Sequence, residues 1–164
     1  MDSRYLEWGK AIDKTALLLL PPEGIVARCL FGEARGETLD DKQRVGCVIR
    51  NRVHWHLKGA GREGWGRVVL KPYQFSWTMD SDPNLPKVLN PLKYELEGVW
   101  DVCCRVAEAI VSGASADTTQ GSDHYYDSSM DKRPPPWVAD AGMVSTVRSE
   151  RFRFFRSARV KEWV

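Results

Sequence analysis

A carboxylic acid stands near residue 33, at the end of an apolar segment. Glu33 is flanked by the aromatic Phe31 and the small Ala34. Loss of water around such a side chain disfavours the carboxylate and raises its pKa, and a glutamate that donates a proton at neutral pH needs that setting. A solvated glutamate paired with Arg28 or Arg35 fits the same residues. The pattern makes Glu33 a candidate general acid and leaves the ion-paired alternative open.

A second carboxylic acid, Glu37, follows four positions later. On one continuous helix the two side chains would share a face, with Cβ atoms roughly 6 Å apart. That distance is similar to the carboxylate separation of a retaining glycosidase, but the two acids of such an enzyme flank the scissile bond, whereas helix neighbours lie side by side. We therefore expect Glu37 to orient Glu33 or to bind a backbone amide.

Two further segments carry the groups that sugar sites combine, namely aromatic rings, amides and hydroxyls. They are residues 72–77 and residues 123–127. Aromatic residues on loops also cover protein cores, so each segment alone permits both interpretations. The candidate substrate-binding residues are Glu37 and, from these segments and the later Pro-Trp pair, Gln74, Phe75, Ser76, His124, Tyr125, Tyr126 and Trp137.

The elements that must position these residues are mainly helical. The first twenty residues predict a helix, and Pro21-Pro22 starts a second helix that we expect to end at Gly36, since proline suits a first turn and glycine a C-terminus. A third helix is predicted to open at 38–41 with capping residues and acids. Its apolar residues recur at helical spacing. They are Val45, Val48, Ile49 and Val53.

The second half of the chain predicts loops, one long helix and short strands. Residues 58–93 are rich in glycine and proline and are expected to be loop-rich. A helix is predicted from about Tyr94 to Ser112, on an apolar stripe of Leu96, Val99, Trp100, Cys103, Val106, Ala107 and Ile110. Short strands are predicted at 125–126, 145–147 and 151–154. The fold class is therefore α+β, mainly helical, with a small C-terminal β element.

Composition limits the classes of function. The 164 residues predict one domain spanning 1–164. Lysine and arginine number 24 against 22 acidic residues, and the net charge of +2 excludes a strongly cationic coat for nucleic acid. The four cysteines lack zinc-ligand spacing and are expected to be buried and reduced. The seven tryptophans suit either a core or stacking on sugars.

The apolar run at 16–20 is closed by prolines and is shorter than a membrane span or the apolar region of a signal peptide. We expect synthesis in the cytoplasm without a signal peptide and no stable membrane association. No metal or cofactor is expected.

Taken together, these segments resemble the SleB-like cell-wall hydrolase family, which includes spore-cortex-lytic enzymes and many small phage endolysins. The resemblance rests on FGEARGE at 31–37, IRNRV at 49–53, KPYQFSW at 71–77 with DPN at 82–84, GSDHYY at 121–126, and Pro136-Trp137. It implies a lysozyme-like fold and cleavage of peptidoglycan between N-acetylmuramic acid and N-acetylglucosamine. Glu33 matches the family's catalytic acid.

The resemblance also implies a mechanism and a setting. After protonating the glycosidic oxygen, Glu33 would take the proton of the muramic C6 hydroxyl, which gives a 1,6-anhydro end by lytic transglycosylation. Activation of water by the same residue, as in a hydrolytic muramidase, is the alternative. The absence of a clear second catalytic carboxylate favours the transglycosylase, and Asp123, Glu37 and Glu150 keep hydrolysis open. The expected setting is a monomeric phage endolysin that acts on peptidoglycan in the periplasm and needs a holin-type pore for release.

One stretch departs from the family pattern. Where members often carry a His in the late strand, this chain has Glu150. The substitution supplies an extra carboxylate that could lie near the site.

Three other functional hypotheses depend on different residues. A zinc amidase would need His54, His56 and His124, but the first two point to different sides of a helix and no HExxH motif exists. A wall-binding protein would keep the aromatic cleft without chemistry. Nucleic-acid binding would use a basic tail, which comprises Arg148, Arg151, Arg153, Arg156, Arg159 and Lys161. We expect that tail to be a solvated strand face, and no nucleic-acid partner.

Overall fold

The computed structural model describes residues 1–95 and 98–158, and it is mainly helical with a small C-terminal sheet. The mainly helical α+β prediction is confirmed, since helix accounts for 53% of the structure. The α-helices are α1 (Ser3–Trp8), α2 (Pro22–Ala34), α3 (Leu39–His56), α4 (Glu63–Val69), α5 (Leu85–Leu89), α6 (Pro91–Tyr94) and α7 (Val99–Val111). The strands are β1 (His124–Asp127), β2 (Met143–Arg148) and β3 (Phe152–Ser157).

Helices α2, α3 and α7 pack against one another and form the core. Helix α2 begins at Pro22, as predicted, and α3 begins after Thr38, whose hydroxyl accepts a hydrogen bond from the Asp41 amide. The predicted apolar face of α3 is buried, as is the stripe on α7 around Trp100. Burial of these stripes fixes the direction in which the end of α2 points.

The predicted helix at 94–112 begins later than expected. Residues 91–94 form the separate helix α6, and Gly98 has a φ of 77° immediately before α7. That left-handed conformation is open to glycine and ends any continuous helical path. Leu96, which the prediction placed on the apolar stripe, lies outside the described residues.

The prediction of one helix over the first twenty residues is wrong. Helix α1 ends at Trp8, and a 3-10 helix covers Lys14–Leu19. Gly9 lies against the indole of Trp100, where an added Cβ would sit 2.6 Å from Nε1. The same indole nitrogen donates to the carbonyl of Tyr5 at 2.8 Å. The chain therefore turns at Gly9 to pack on α7.

The segment 58–93 holds more helix than its glycines and prolines predict. It contains α4, α5 and α6, and the apolar triplet at 68–70 is the end of α4 with its C-cap. Trp65, Val68 and Val69 are buried against the core. Tertiary packing thus outweighs the weak helix propensity of Gly64 and Gly66.

The sheet has the strand order β1-β3-β2, and both pairs are antiparallel. Tyr125 lies opposite Phe154, and His124 lies opposite Phe155. The predicted alternation in the last strand is confirmed, because Phe152 and Phe154 are buried beside Arg153. Strand β1 therefore presents one set of side chains to the helices and the other set to the outer face.

The chain between α7 and β1 is fastened to α3 by buried hydrogen bonds. Asn51 donates to the carbonyl of Ser122 at 2.9 Å and to Asp117 at 3.0 Å. Arg50 donates to the carbonyl of Ser115 at 2.6 Å. These bonds fix where β1 begins relative to α3.

All four cysteines are free and buried, as predicted. Within 1–95 and 98–158, every helix falls short of the length and apolarity that a membrane span requires.

Candidate functional site

Glu33 lies in the last turn of α2, where the helix leaves the core. Phe31 and Ala34 are buried on either side of it. The preceding Gly32 touches the loop that follows α4, because an added Cβ there would lie 2.8 Å from Cδ1 of Trp77. This close approach places the indole directly beside the backbone that carries Glu33.

The hydroxyl of Tyr125 donates to Oε2 of Glu33 at 2.6 Å. Burial and the nearby Glu33 charge raise the pKa of Tyr125 well above its ordinary value, so the phenol stays protonated and acts as the donor. The Tyr125 ring packs at 5.3 Å on Phe152 and at 5.8 Å on Phe154. The sheet thus holds this hydroxyl over the end of α2.

Burial raises the pKa of Glu33 above its ordinary value. The Tyr125 hydrogen bond and the positive charge of Arg52 partly oppose that rise in the pKa, whereas the carboxylate of Asp82 adds to it. The structure therefore gives Glu33 the desolvated setting that a proton donor needs at neutral pH. The sequence left two interpretations open, a buried proton donor and a solvated glutamate paired with an arginine. The geometry favours the proton donor over a pair with Arg35, because the Arg35 guanidinium donates to Asn84 at 3.0 Å instead.

Arg52 belongs to the IRNRV motif at 49–53, and no separate role was predicted for it. The structure places Arg52 beside the site. It is buried, its Nε donates to the carbonyl of Asp123 at 2.6 Å, and its guanidinium lies 5.3 Å from the Phe75 ring. Its NH1 has no hydrogen-bond partner among residues 1–95 and 98–158. The sequence signal that could have found it is the run Arg50-Asn51-Arg52 inside an otherwise apolar helical face.

The loop at 71–77 divides into buried and exposed residues. Phe75 is 1% exposed and Trp77 is 0% exposed. The prediction that Phe75 stacks on a sugar is therefore wrong for this conformation, because its ring is covered and supports Arg52 instead. Gln74 is half-buried and Ser76 is exposed, so both remain predicted substrate contacts.

The remaining aromatic candidates lie on the other face of the sheet. His124 is 5.0 Å from Trp137, and Tyr126 stacks on Phe155 at 5.8 Å. Successive residues of a strand point to opposite faces, so Tyr125 reaches Glu33 while its neighbours His124 and Tyr126 do not. A single cleft that gathers all these rings around Glu33 is not what the structure shows.

The two other candidate acids also lie apart from Glu33. Helix α2 ends at Ala34, so Glu37 is not on a continuous helix with Glu33. Its carboxylate pairs with Arg151 at 3.4 Å, and the same guanidinium pairs with Asp127 at 2.7 Å. Glu37 therefore ties the loop between α2 and α3 to the sheet, which corrects the expectation that it orients Glu33. Glu150 is exposed in the turn between β2 and β3.

Asp123, one of the three carboxylates that kept hydrolysis open as an alternative, is buried. It lies 3.2 Å from Nε2 of His56 and 2.9 Å from Nδ1 of His124, and it accepts from the Ser157 amide at 2.9 Å. Burial alone would raise the pKa of Asp123, but these hydrogen bonds outweigh it and hold that pKa below its usual range. The backbone carbonyl of Asp123 also accepts from Arg52. Asp123 therefore connects α3, β1 and β3 through its hydrogen bonds.

His56 and His124, two of the three histidines in the zinc amidase hypothesis, therefore bind Asp123. His54 is exposed on α3. Within the described ranges, no group of three or more His, Cys, Asp or Glu side chains is arranged to hold a metal ion.

Two arginines of the basic tail, Arg151 and Arg153, pair with carboxylates. Arg153 pairs with Asp131 at 2.6 Å and Arg156 donates to the carbonyl of Gln120 at 3.4 Å. Arg151 is paired as above. Arg159 and Lys161 lie outside the described residues.

A family model described as Cell Wall Hydrolase matches residues 36–155, well over half of the chain. The match includes the 49–53, 71–77 and 121–126 segments and begins just after Glu33. No curated protein and no solved structure matches the chain.

Proposed function

The chain belongs to the cell wall hydrolase family, and from that premise we propose that it cleaves peptidoglycan between N-acetylmuramic acid and N-acetylglucosamine, with Glu33 as its acid. Degradation of peptidoglycan follows from the family. The observation that carries the finer proposal is the 2.6 Å hydrogen bond from Tyr125 to the carboxyl of Glu33, whose pKa burial raises.

The hydrogen bond decides which oxygen delivers the proton. Oε2 of Glu33 accepts from Tyr125, so the acidic proton lies on Oε1. Oε1 protonates the glycosidic oxygen, the bond from that oxygen to C1 of the muramic ring breaks, and the ring develops oxocarbenium character. The N-acetylglucosamine side leaves as an alcohol.

Glu33 is then a carboxylate, and two groups stabilise it. They are the Tyr125 hydroxyl and the positive charge of Arg52, both of which favour the ionised form. In the lytic transglycosylase reaction, this carboxylate takes the proton of the muramic C6 hydroxyl while that oxygen bonds to C1. The product is a 1,6-anhydro ring, Glu33 regains its proton, and no water is consumed.

Hydrolysis is the second candidate, and one observation favours it. Asp82 accepts from the Asn84 amide at 2.8 Å, the Asn84 side chain accepts from Arg35 at the end of α2, and the charge of Asp82 adds to the rise in the pKa of Glu33. A second carboxylate beside the acid could hold a water molecule on the way to C1, as in a muramidase.

Mass spectrometry of the products tests the proposal. Purified peptidoglycan is digested with the wild type and with Glu33→Gln, which keeps the shape of the side chain and removes the acid. We expect anhydro-muropeptides, lighter than hydrolysis products by one water, from the wild type alone. Products with new reducing ends and without the anhydro mass would refute the lytic transglycosylase reaction and support the muramidase reaction. Binding to the wall without release of any glycan fragment would overturn both.

We also propose the role of a monomeric phage endolysin, which is made in the host cytoplasm and acts on the wall after a holin-type pore opens the membrane. Similarity of the QFSW segment at 74–77 to phage-type members supports this role. Expression in a Gram-negative host tests it. Lysis is expected only when a pore-forming membrane protein is expressed as well, and lysis without one would refute the need for a pore.

A further inference from the structure

An apolar groove runs between the 3-10 helix at Lys14–Leu19, helix α4 and the loop that follows it. Three adjoining depressions of about 390, 290 and 400 Å³ make up this groove, and Leu18 lines each of them. Leu18 is 71% exposed, and Leu57, Leu70 and Pro72 line the first depression. We call the whole feature the Leu18 groove. Its apolar surface is open to solvent and concave, which is the usual form of a binding site.

The Leu18 groove is lined by four cations and one carboxylate, that of Glu63. Arg67 and Lys71 line the first depression. Two cations around the groove are paired with carboxylates, since Lys14 binds Asp80 at 2.6 Å and Arg62 binds Glu23 at 3.2 Å. Arg67 is exposed, and no carboxylate of residues 1–95 and 98–158 pairs with it. An apolar channel with such a cation complements a ligand that carries both methyl groups and carboxylates.

The Leu18 groove adjoins the proposed catalytic site. Lys71 and Leu57 line the groove, and Leu57 caps α3 five residues after Arg52, a distance of about 8 Å along a helix axis. Arg52 lies in turn on Phe75 and is near enough to lower the pKa of Glu33. The groove and the acid are therefore linked through one loop, residues 71–77.

We propose that the Leu18 groove binds the anionic peptide branch of peptidoglycan while Glu33 acts on the glycan. This inference rests on the proposed function. The peptide is attached to the muramic ring, the sugar whose C1 bond is cleaved, so it must leave the site beside Glu33. It consists of small apolar residues and carboxylates, and four extended residues reach about 13 Å. Arg67 pairs with its carboxylates, and the leucines of the groove cover its methyl groups.

Two substrates test the proposal. One is intact peptidoglycan, and the other is the same glycan after an amidase has removed its peptides. We compare kcat/KM for glycan cleavage between the wild type, Leu18→Asp and Arg67→Glu. Leu19→Asp is the matched control for the first variant, because Leu19 is 86% exposed on the same 3-10 helix and lines none of the three depressions. Lys132→Glu matches the charge change of the second at a remote exposed position.

The wild type is expected to favour intact peptidoglycan by about tenfold. Leu18→Asp and Arg67→Glu should each lose about fivefold on that substrate and nothing on the stripped glycan, with both controls unaffected. Equal wild-type rates on the two substrates would overturn the peptide proposal and leave the proposed function standing. Binding to phosphatidylglycerol vesicles that Leu18→Asp abolishes, with cleavage of intact peptidoglycan unchanged, would make the groove a membrane contact instead. No cleavage of either substrate would remove the proposed function itself.

Discussion

Replacing Tyr125 by phenylalanine removes one hydroxyl from the site and keeps the ring that packs on Phe152 and Phe154. The lost bond is the 2.6 Å contact with Oε2 of Glu33. A hydrogen bond to a charged group contributes about 1.5–3 kcal/mol, and about 1.4 kcal/mol corresponds to one pKa unit. Because the hydroxyl favours the ionised carboxylate, its removal should raise the pKa of Glu33 further, by about 1–2 units.

The pH dependence of kcat/KM measures this shift. The acid must be protonated to act, so activity falls as the pH rises through the pKa of Glu33, and this alkaline limb should move upward by about 1–2 pH units in Tyr125→Phe. Tyr126→Phe is the matched control, since that hydroxyl lies on the other face of the sheet and its loss should leave the alkaline limb in place. An alkaline limb at the wild-type pH in Tyr125→Phe would refute the reasoning.

Three further substitutions have expected outcomes. Glu33→Gln should lower activity by about 10³-fold or more. Because the pKa of Glu33 is raised in the folded state, the wild type loses stability as the pH rises above the ordinary value of 4.5. Thermal unfolding should therefore show that the variant gains stability relative to the wild type above pH 4.5 and not below it. Asp123→Asn should cost about 3 kcal/mol and lower Tm by about 6–12 °C, with the wild-type advantage shrinking as the pH falls below the ordinary pKa of 3.8; an unchanged Tm would contradict the role of its buried hydrogen bonds. Gly32→Ala should cost about 1–3 kcal/mol, because its Cβ would meet Trp77 at 2.8 Å, and a Tm equal to that of the wild type would show that the indole moves aside at no cost.

The helices of the core were predictable because their signals are local. Pro22 and Thr38 mark helix starts, and the apolar residues of α3 recur at helical spacing, so α2 and α3 follow from the sequence. The break before α7 was not predictable from spacing, because the apolar pattern continues through the segment where Gly98 adopts its left-handed conformation. Gly9 ends α1 for a reason that exists only in three dimensions, namely the indole of Trp100.

The candidate site shows the same division. Glu33 could be singled out from its apolar neighbours, and its raised pKa agrees with that expectation. The sequence could not say which residue of the pair at 125–126 reaches it, because that depends on which face of β1 meets the helices. Arg52 and Asp123 lie within quoted motifs, but a motif does not say what each side chain contacts. The hydrogen bond from Arg52 to the Asp123 carbonyl joins two distant parts of the chain, so it could be found only in the structure.

The bond between Glu33 and Tyr125 joins residues far apart in the chain, and this has a consequence for biosynthesis. Tyr125 is held by its pairing with Phe154, so the acid has its partner only after β3 has been made and has paired with β1. Contacts of such long sequence separation form late, because the loop between them must be closed first. A ribosome-bound chain that has reached α7 already contains Glu33 but lacks the hydroxyl that hydrogen-bonds to it. The hydrogen-bonded pair of Glu33 and Tyr125 is therefore assembled only when nearly the whole described chain has been made and has folded.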